Sequence, residues 1–224
     1  METAVSVAAV VLAAGSSSRM RGIKKEYQKL ANGDTVLGSS VRAFSAVPSI
    51  HTIIIAIPKD DEAAARGALS PELLSAQRPK IFFVNGGDSR RASVFNALSF
   101  LESASYVLIH DGARPFVSSP LIEKIIEAVV KHEAVIPVLA ITDTPKELEA
   151  GFVKRHLKRS DVGAAQTPQA FKFPEILHAH EKAAGVENEE FTDDAEIWGR
   201  FCGQVAVISG ELENKKITFK EDLF

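Results

Sequence analysis

Arg19 ends a run of small residues, Ala13-Ala14-Gly15-Ser16-Ser17-Ser18, and the combination is the first sign of chemistry in this chain. Small side chains leave backbone N–H groups bare, so an anion can approach the main chain closely. A guanidinium beside them supplies countercharge as a fork of donors. The second sign is His110-Asp111-Gly112-Ala113-Arg114-Pro115. A carboxylate facing a phosphate-binding loop suits Mg²⁺, a hard cation that prefers carboxylate and phosphate oxygens. Asp143-Thr144-Pro145-Lys146, and Lys216 within Asn214–Phe219, add polar and cationic groups. Together these residue types point to binding of phosphates with a divalent cation. Each also has a plainer reading. Asp111 and Arg114 could pair only to stabilise a turn, and Asp143 to Lys146 could be a helix cap or a proline turn. Thr167-Pro168-Gln169-Ala170-Phe171 reads best as a proline-initiated turn ahead of a helix. Thr192-Asp193-Asp194-Ala195 reads best as the N-cap of a helix through Trp198.

Strand-like and helical patterns alternate along the chain and could hold these groups in place. The apolar run Val5–Leu12 suits a strand covered on both faces. Thr35–Val47 and Asp60–Leu69 have helical character, and the β-branched run His51–Ile57 stops at Pro58. Ile81–Val84 is a short strand. Val94, Ala97, Leu98 and Leu101 then mark one buried helix face. Tyr106–Ile109 is the strand that ends in Asp111, Leu121 to Val130 form a helical stripe, and Ala134–Leu139 returns as a strand. Such alternation predicts a mostly parallel sheet with helices on both faces and a ligand beyond the carboxyl ends of the strands. The loops at 14–25, 85–93, 110–115 and 143–146 all follow strands and are expected on one edge. Asn214–Phe219 reads as a late strand. Residues 141–166 are charged with scattered apolar residues, a pattern that predicts a β-hairpin arm able to pair with another subunit.

Composition bounds the rest. A chain of 224 residues suits one large domain. No apolar segment is long enough to cross a bilayer, Glu2 precedes the apolar run, and no signal-cleavage pattern follows it. A single cysteine, Cys202, excludes an internal disulfide and fits a reducing compartment. A net charge of −3 argues against general nucleic-acid binding. The phosphate loop matches neither G-x-G-x-x-G nor G-x-x-x-x-G-K-[ST], so the dehydrogenase and Walker readings lose support.

Taken in order, these motifs resemble the 2-C-methyl-D-erythritol 4-phosphate cytidylyltransferase family. The matching residues are Leu12–Gly15 with Arg19-Met20, Lys25 before Tyr27, Gly86-Gly87-Asp88 with Ser93-Val94, and His110–Pro115. Asp143–Lys146, Thr167–Phe171, Thr192-Asp193, and Lys216-Ile217-Thr218 ahead of Glu221-Asp222-Leu223 complete the set. The family usually has glycine where Ser17 stands, and Pro-Lys-Gln-Tyr where this chain has Lys24-Lys25-Glu26-Tyr27. One residue fewer separates Arg19 from the lysine, so Lys25 is the better match and Lys24 a competitor. The family usually carries a final helix beyond the position of Phe224.

The resemblance implies an α/β fold: residues 1–224 as a single domain, with a mostly parallel, Rossmann-like nucleotidyltransferase sheet and a protruding β-arm at about 141–166. It implies transfer of CMP from CTP to a polyol phosphate, Mg²⁺ as cofactor, and a homodimer in the cytoplasm or, with its transit peptide removed, in a plastid. Neither nucleic acid nor membrane is an expected partner. Arg19 and Lys25 would be catalytic and Asp111 the metal ligand. Ala13, Ala14, Gly15, Gly87, Asp88, Ser93 and Lys216 would contact CTP or phosphate. Arg114, Thr144 and Arg159 would hold the polyol phosphate, Arg159 from the arm. Rival expectations are a ribitol-5-phosphate cytidylyltransferase and a non-catalytic nucleotide-binding regulatory domain.

Overall fold

Strand β1 (Val7–Leu12) is buried from Val7 to Val11 because its alternate residues enter different layers. Val7, Ala9 and Val11 face one core cluster, whereas Ala8 and Val10 face another. A strand clad on both sides has no reason to alternate with polar residues, which accounts for the unbroken apolar run. These observations come from a computed structural model that describes residues 5–17, 20, 23–186 and 191–223.

From β1 the chain runs through α1 (Val36–Ser45), β2 (Ile50–Ile57), α2 (Glu62–Gly67), α3 (Pro71–Ser75), β3 (Lys80–Asn85) and α4 (Arg90–Phe100). It continues with β4 (Tyr106–Asp111), α5 (Ser119–His132), β5 (Ala134–Ala140), β6 (Lys146–Glu149), β7 (Phe152–His156) and β8 (Gly163–Ala165). β9 (Gln169–Lys172), α6 (Glu175–Ala184), α7 (Asp194–Phe201) and β10 (Ala206–Ser209) follow. The main sheet has the order β10-β5-β9-β4-β1-β2-β3, with β8 also on β5. Helices α1, α2, α3 and α5 pack on one face through residues such as Phe44 and Ile125. Helices α4, α6 and α7 cover the other through Leu98, Ile176 and Trp198.

β1 pairs in parallel with β2 and with β4, placing Leu12 opposite Ala56 on one side and Asp111 on the other. The loops that follow these strands therefore share one edge, as the alternation predicted. The sheet departs from the sequence reading at β9. The Thr167–Phe171 motif does turn toward α6, but Gln169–Lys172 first inserts as an antiparallel strand between β4 and β5. Its buried Ala170 and Phe171 complete the sheet where the two parallel strands stand apart.

β6 and β7 form a separate hairpin outside the main sheet. Ala150 and Gly151 turn it with φ of 50° and 83°, the doubly left-handed backbone that suits right-twisted strands. Leu148, Phe152 and Val153 remain 68%, 78% and 50% exposed on it. The expected arm thus occupies 146–156, while β8 returns the chain to the main sheet. The expected late strand at 214–219 is absent. The strand near that end is β10, and residues 214–218 cross the cleft edge without a ladder. The Ile217 N–H is taken by the Ala113 carbonyl at 2.8 Å, and the Ile217 side chain is buried with Met20, Leu30, Val36 and Leu223.

Candidate active site

A cleft of about 520 Å³ opens where the loops after β1, β3 and β4 meet. Gly86 makes that meeting possible: a side chain there would collide with Ala14 Cβ and stand 2.9 Å from Ser93 Oγ. Ser93, buried in the first turns of α4, accepts from the Gly87 N–H at 3.1 Å and donates to the Ser89 carbonyl at 2.9 Å. Gly87, Asp88 and Ser93 thereby form one wall, with Ala14 and Gly15 across the cleft. Ala13 stands behind the loop, and its N–H is committed to the Ala56 carbonyl at 2.8 Å.

The floor carries the charge. Asp111, at the end of β4, accepts from Lys216 Nζ at 2.7 Å and lies 3.5 Å from Arg90 Nε. Burial pushes its carboxyl upward, but the charges of Arg90 and Lys216 prevail and hold it far below the usual carboxylate range. Arg90 in turn donates to Asp194 Oδ2 at 2.8 Å, and the fully buried His180 lies 3.2 Å from Asp194 Oδ1. The sequence reading missed this chain from His180 through Asp194 and Arg90 to Asp111. A signal for it existed: Arg90 is a cation in the first turn of α4, where the helix dipole disfavours it unless carboxylates hold it.

Lys25 opens a short 3₁₀ turn, Lys25–Tyr27, and is buried with its Nζ 2.9 Å from the Ile217 carbonyl, lining the cleft. Lys24 turns instead to the Gly15 carbonyl at 2.6 Å and to Glu26 at 3.8 Å. Of the two lysines, Lys25 lines the cleft and Lys24 does not. Arg19 lies outside the described residues.

Beneath Asp111, Thr167 Oγ1 accepts from the Asp111 N–H at 3.0 Å and contacts His110 Nδ1 at 3.1 Å. His110 Nε2 contacts the Arg114 carbonyl at 3.1 Å. A neutral ring satisfies both ends, with Nε2–H donating to the carbonyl and Nδ1 accepting from the hydroxyl. Burial lowers the His110 pKa from 6.5 to about 4. The unfolded chain therefore binds this proton more readily, and stability from His110 is complete above pH 6.5 and lost as pH falls toward 4. The loss should reach on the order of 3 kcal/mol. Urea unfolding without metal or nucleotide, at pH 7 and pH 4.5, should show a steeper loss for the unmodified chain than for His110→Gln. Equal losses would exclude His110 as the titrating group.

The sequence profile of 2-C-methyl-D-erythritol 4-phosphate cytidylyltransferase matches residues 7–224. The enzyme of that name from Bacillus mycoides is 35% identical over 216 residues, covering 96% of this chain and 93% of that protein. This chain belongs to the 2-C-methyl-D-erythritol 4-phosphate cytidylyltransferase family. The bifunctional enzyme IspD/IspF of Brucella anthropi is 39% identical over 223 residues, which are 97% of this chain and 53% of that protein. The chain thus spans about half the length of the bifunctional relatives it matches. A solved structure of 4-diphosphocytidyl-2C-methyl-D-erythritol synthase from Anaerococcus prevotii superposes with a TM-score of 0.85 at 33% identity, covering 99% of this chain and 96% of that one.

The departures from the cytidylyltransferase family pattern have structural counterparts. Ser17 adopts a left-handed backbone with φ of 49°, which glycine would enter without penalty. Its hydroxyl donates to Glu26 Oε2 at 3.2 Å, so the loop is tied to the lysine turn. Arg114 does not pair directly with Asp111; its Nη1 donates to the Asn214 carbonyl at 2.7 Å. Thr144 and Arg159 are exposed outside the cleft, and Arg159 donates to the Thr142 carbonyl at 2.8 Å. The 143–146 loop thus does not join the other three.

Among the described residues, no group of three or more His, Cys, Asp or Glu side chains could hold a metal ion. A hard cation bound mainly by phosphate oxygens needs only one or two carboxylates. Asp111 meets that requirement: it is held ionised at the cleft floor, and among the described residues its Oδ1 has only the long 3.5 Å contact from Arg90.

Proposed function

We propose that this chain transfers the cytidylyl group of CTP to the phosphate of 2-C-methyl-D-erythritol 4-phosphate and releases pyrophosphate. The observation that carries the reading is one cleft, bounded by the Ala14-Gly15 loop, that is lined by Lys25 and by Arg90 and Lys216 paired with Asp111. A phosphate oxygen of the polyol attacks the α-phosphorus of CTP. The bond from that phosphorus to the bridging oxygen breaks, and pyrophosphate leaves with the electron pair. The attacking phosphate is already nucleophilic, so no general base is required. Negative charge grows on the non-bridging oxygens, where Lys25 and Lys216 supply positive charge and Arg19 would add its own. Asp111 would hold Mg²⁺, which, when bound, neutralises phosphate charge. The walls at Ala14-Gly15 and Gly87–Ser93 select the base by hydrogen bonds and by excluding purines. Arg114, beside the strand end that carries Asp111, would hold the polyol phosphate, joined only from a partner copy by Thr144 and Arg159, which lie outside this chain's own cleft.

The decisive test measures pyrophosphate release for the four common nucleoside triphosphates, each crossed with methylerythritol phosphate and with ribitol 5-phosphate. CTP with methylerythritol phosphate and Mg²⁺ should turn over fastest. Faster turnover with ribitol 5-phosphate would reassign the acceptor, and preference for a purine triphosphate would overturn the reading.

The assembly we propose is a cytoplasmic homodimer. The exposed Leu148, Phe152 and Val153 give the arm an apolar surface for a second copy, and among the described residues no helix is long and apolar enough to cross a membrane. Arg159 would then complete the partner's cleft. Mixing Arg159→Ala with Lys25→Ala protein should restore about a quarter of the unmodified activity, because half the dimers are hybrids with one intact site. No recovery after verified subunit exchange would confine Arg159 to its own chain.

A further inference from the structure

Residues 210–218 form neither helix nor strand, yet they carry Lys216 to Asp111. Backbone without a ladder must find its partners elsewhere. Besides Val138, Ala113, Lys25, Arg114 and Asp222, two buried amides tie it to the sheet, Gln166 at 5% exposure and Asn214 at 0%. Gln166 Oε1 accepts from the Glu211 N–H at 3.1 Å, while its Nε2 donates to the carbonyls of Glu211 at 2.8 Å and Asn214 at 3.3 Å. Asn214 Nδ2 donates to the Thr167 carbonyl at 2.9 Å and to Gln166 Oε1 at 3.4 Å. The Gln166 backbone is itself anchored, its N–H donating to the Pro137 carbonyl in β5 at 2.8 Å.

We infer that Gln166 and Asn214 are positioning residues for Lys216, their amides clamping the 210–218 segment so that the ammonium sits at the cleft floor. The inference rests on the proposed reading of that cleft as a cytidylyl-transfer site. Burying an amide is costly unless its groups are bonded. Both ends of the Gln166 amide are bonded, and Asn214 commits its Nδ2 to two acceptors while its Oδ1 meets no partner among the described residues, so both side chains act as ties rather than core filler. Gly210 points the same way. A Cβ there would lie 2.5 Å from Gln166 Oε1 and 3.2 Å from its Cδ, so only glycine leaves the amide room. Loss of the clamp would let Lys216 drift, and a misplacement near 1 Å can reduce turnover by about 10- to 100-fold.

Gln166→Met removes the amide at similar volume. Asn214→Asp sets a carboxylate against the Thr167 and Gln166 oxygens, and Gly210→Ala displaces the Gln166 amide from outside the cleft. Each variant should lower kcat for pyrophosphate release by about 10- to 100-fold and speed amide hydrogen exchange in 210–218. Each should also weaken binding of inorganic pyrophosphate, measured by calorimetry, and add no further loss in kcat to Lys216→Ala. Faster exchange with unchanged kcat and pyrophosphate affinity would overturn the clamp, as would losses that multiply with Lys216→Ala. If Asn214→Asp does not fold, Gln166→Met and Gly210→Ala decide. If the unmodified chain releases no pyrophosphate from any triphosphate, the proposed function fails. Exchange and pyrophosphate affinity then still decide the clamp.

Discussion

Lys25→Ala is expected to lower kcat by on the order of 10²-fold or more, the usual penalty for removing a fixed donor to developing negative charge. The lysine reaches the cleft from a 3₁₀ turn, and its Nζ already bridges to the Ile217 carbonyl at 2.9 Å. One cation thus lines the cleft and also ties down the segment that brings Lys216. Losing that charged hydrogen bond costs about 1.5–3 kcal/mol, which a folded domain of this size should survive. Lys24→Ala is the matched control. Its ammonium is turned to the Gly15 carbonyl, and Lys24 is not among the cleft-lining residues. Its kcat should stay within a few-fold of the unmodified chain. Steady-state pyrophosphate release with thermal unfolding separates the two effects. Collapse of Lys24→Ala with a near-normal Lys25→Ala would exchange their roles.

What the sequence made legible was local and periodic. The unbroken apolar run of β1 announced a strand clad on both faces, and Leu121, Ile122, Ile125, Ile126 and Val129 announced α5 as a helix with one buried side. Small residues after β1 and the Gly86-Gly87-Asp88 turn marked loops able to approach a ligand, and both line the cleft or support it. Long-range polar pairing was not legible. The segment Thr192–Ala195 reads as an N-cap, and Asp193 supplies it, its side chain accepting from the Glu196 N–H at 2.9 Å. Asp194 beside it looked like a second first-turn acid, but it is fully buried and pairs with Arg90, 104 positions earlier in the chain. Local pattern cannot distinguish those two aspartates, because what differs is the partner each meets after folding. Lys216-Ile217-Thr218-Phe219 misled for a related reason. Its polar and apolar residues alternate as in a strand, yet its backbone is secured by the Ala113 carbonyl, the Lys25 ammonium and the Asp222 carboxylate.

Asp111 is the group whose removal should damage both folding and chemistry. Its carboxylate separates Arg90 from Lys216, and Asp111→Ala would leave two cations facing each other across an emptied floor. Breaking a fully buried pair costs about 3–5 kcal/mol. The Arg90 and Lys216 side chains retain 30% and 37% exposure, so solvent screens part of that loss and about 2 kcal/mol is the better expectation. Asp111→Asn keeps the shape and the Thr167 hydrogen bond to its N–H but removes the charge. It should therefore fold better than the alanine variant while losing on the order of 10²-fold or more in kcat, because Lys216 loses the anion that orients it. The half-saturating Mg²⁺ concentration should rise as well, and direct Mn²⁺ binding in the presence of CTP should weaken in parallel. If Asp111→Asn lost stability but kept normal kcat and metal affinity, Asp111 would be a structural counter-ion for Arg90 and Lys216. The metal would then have to be held by the phosphates without it.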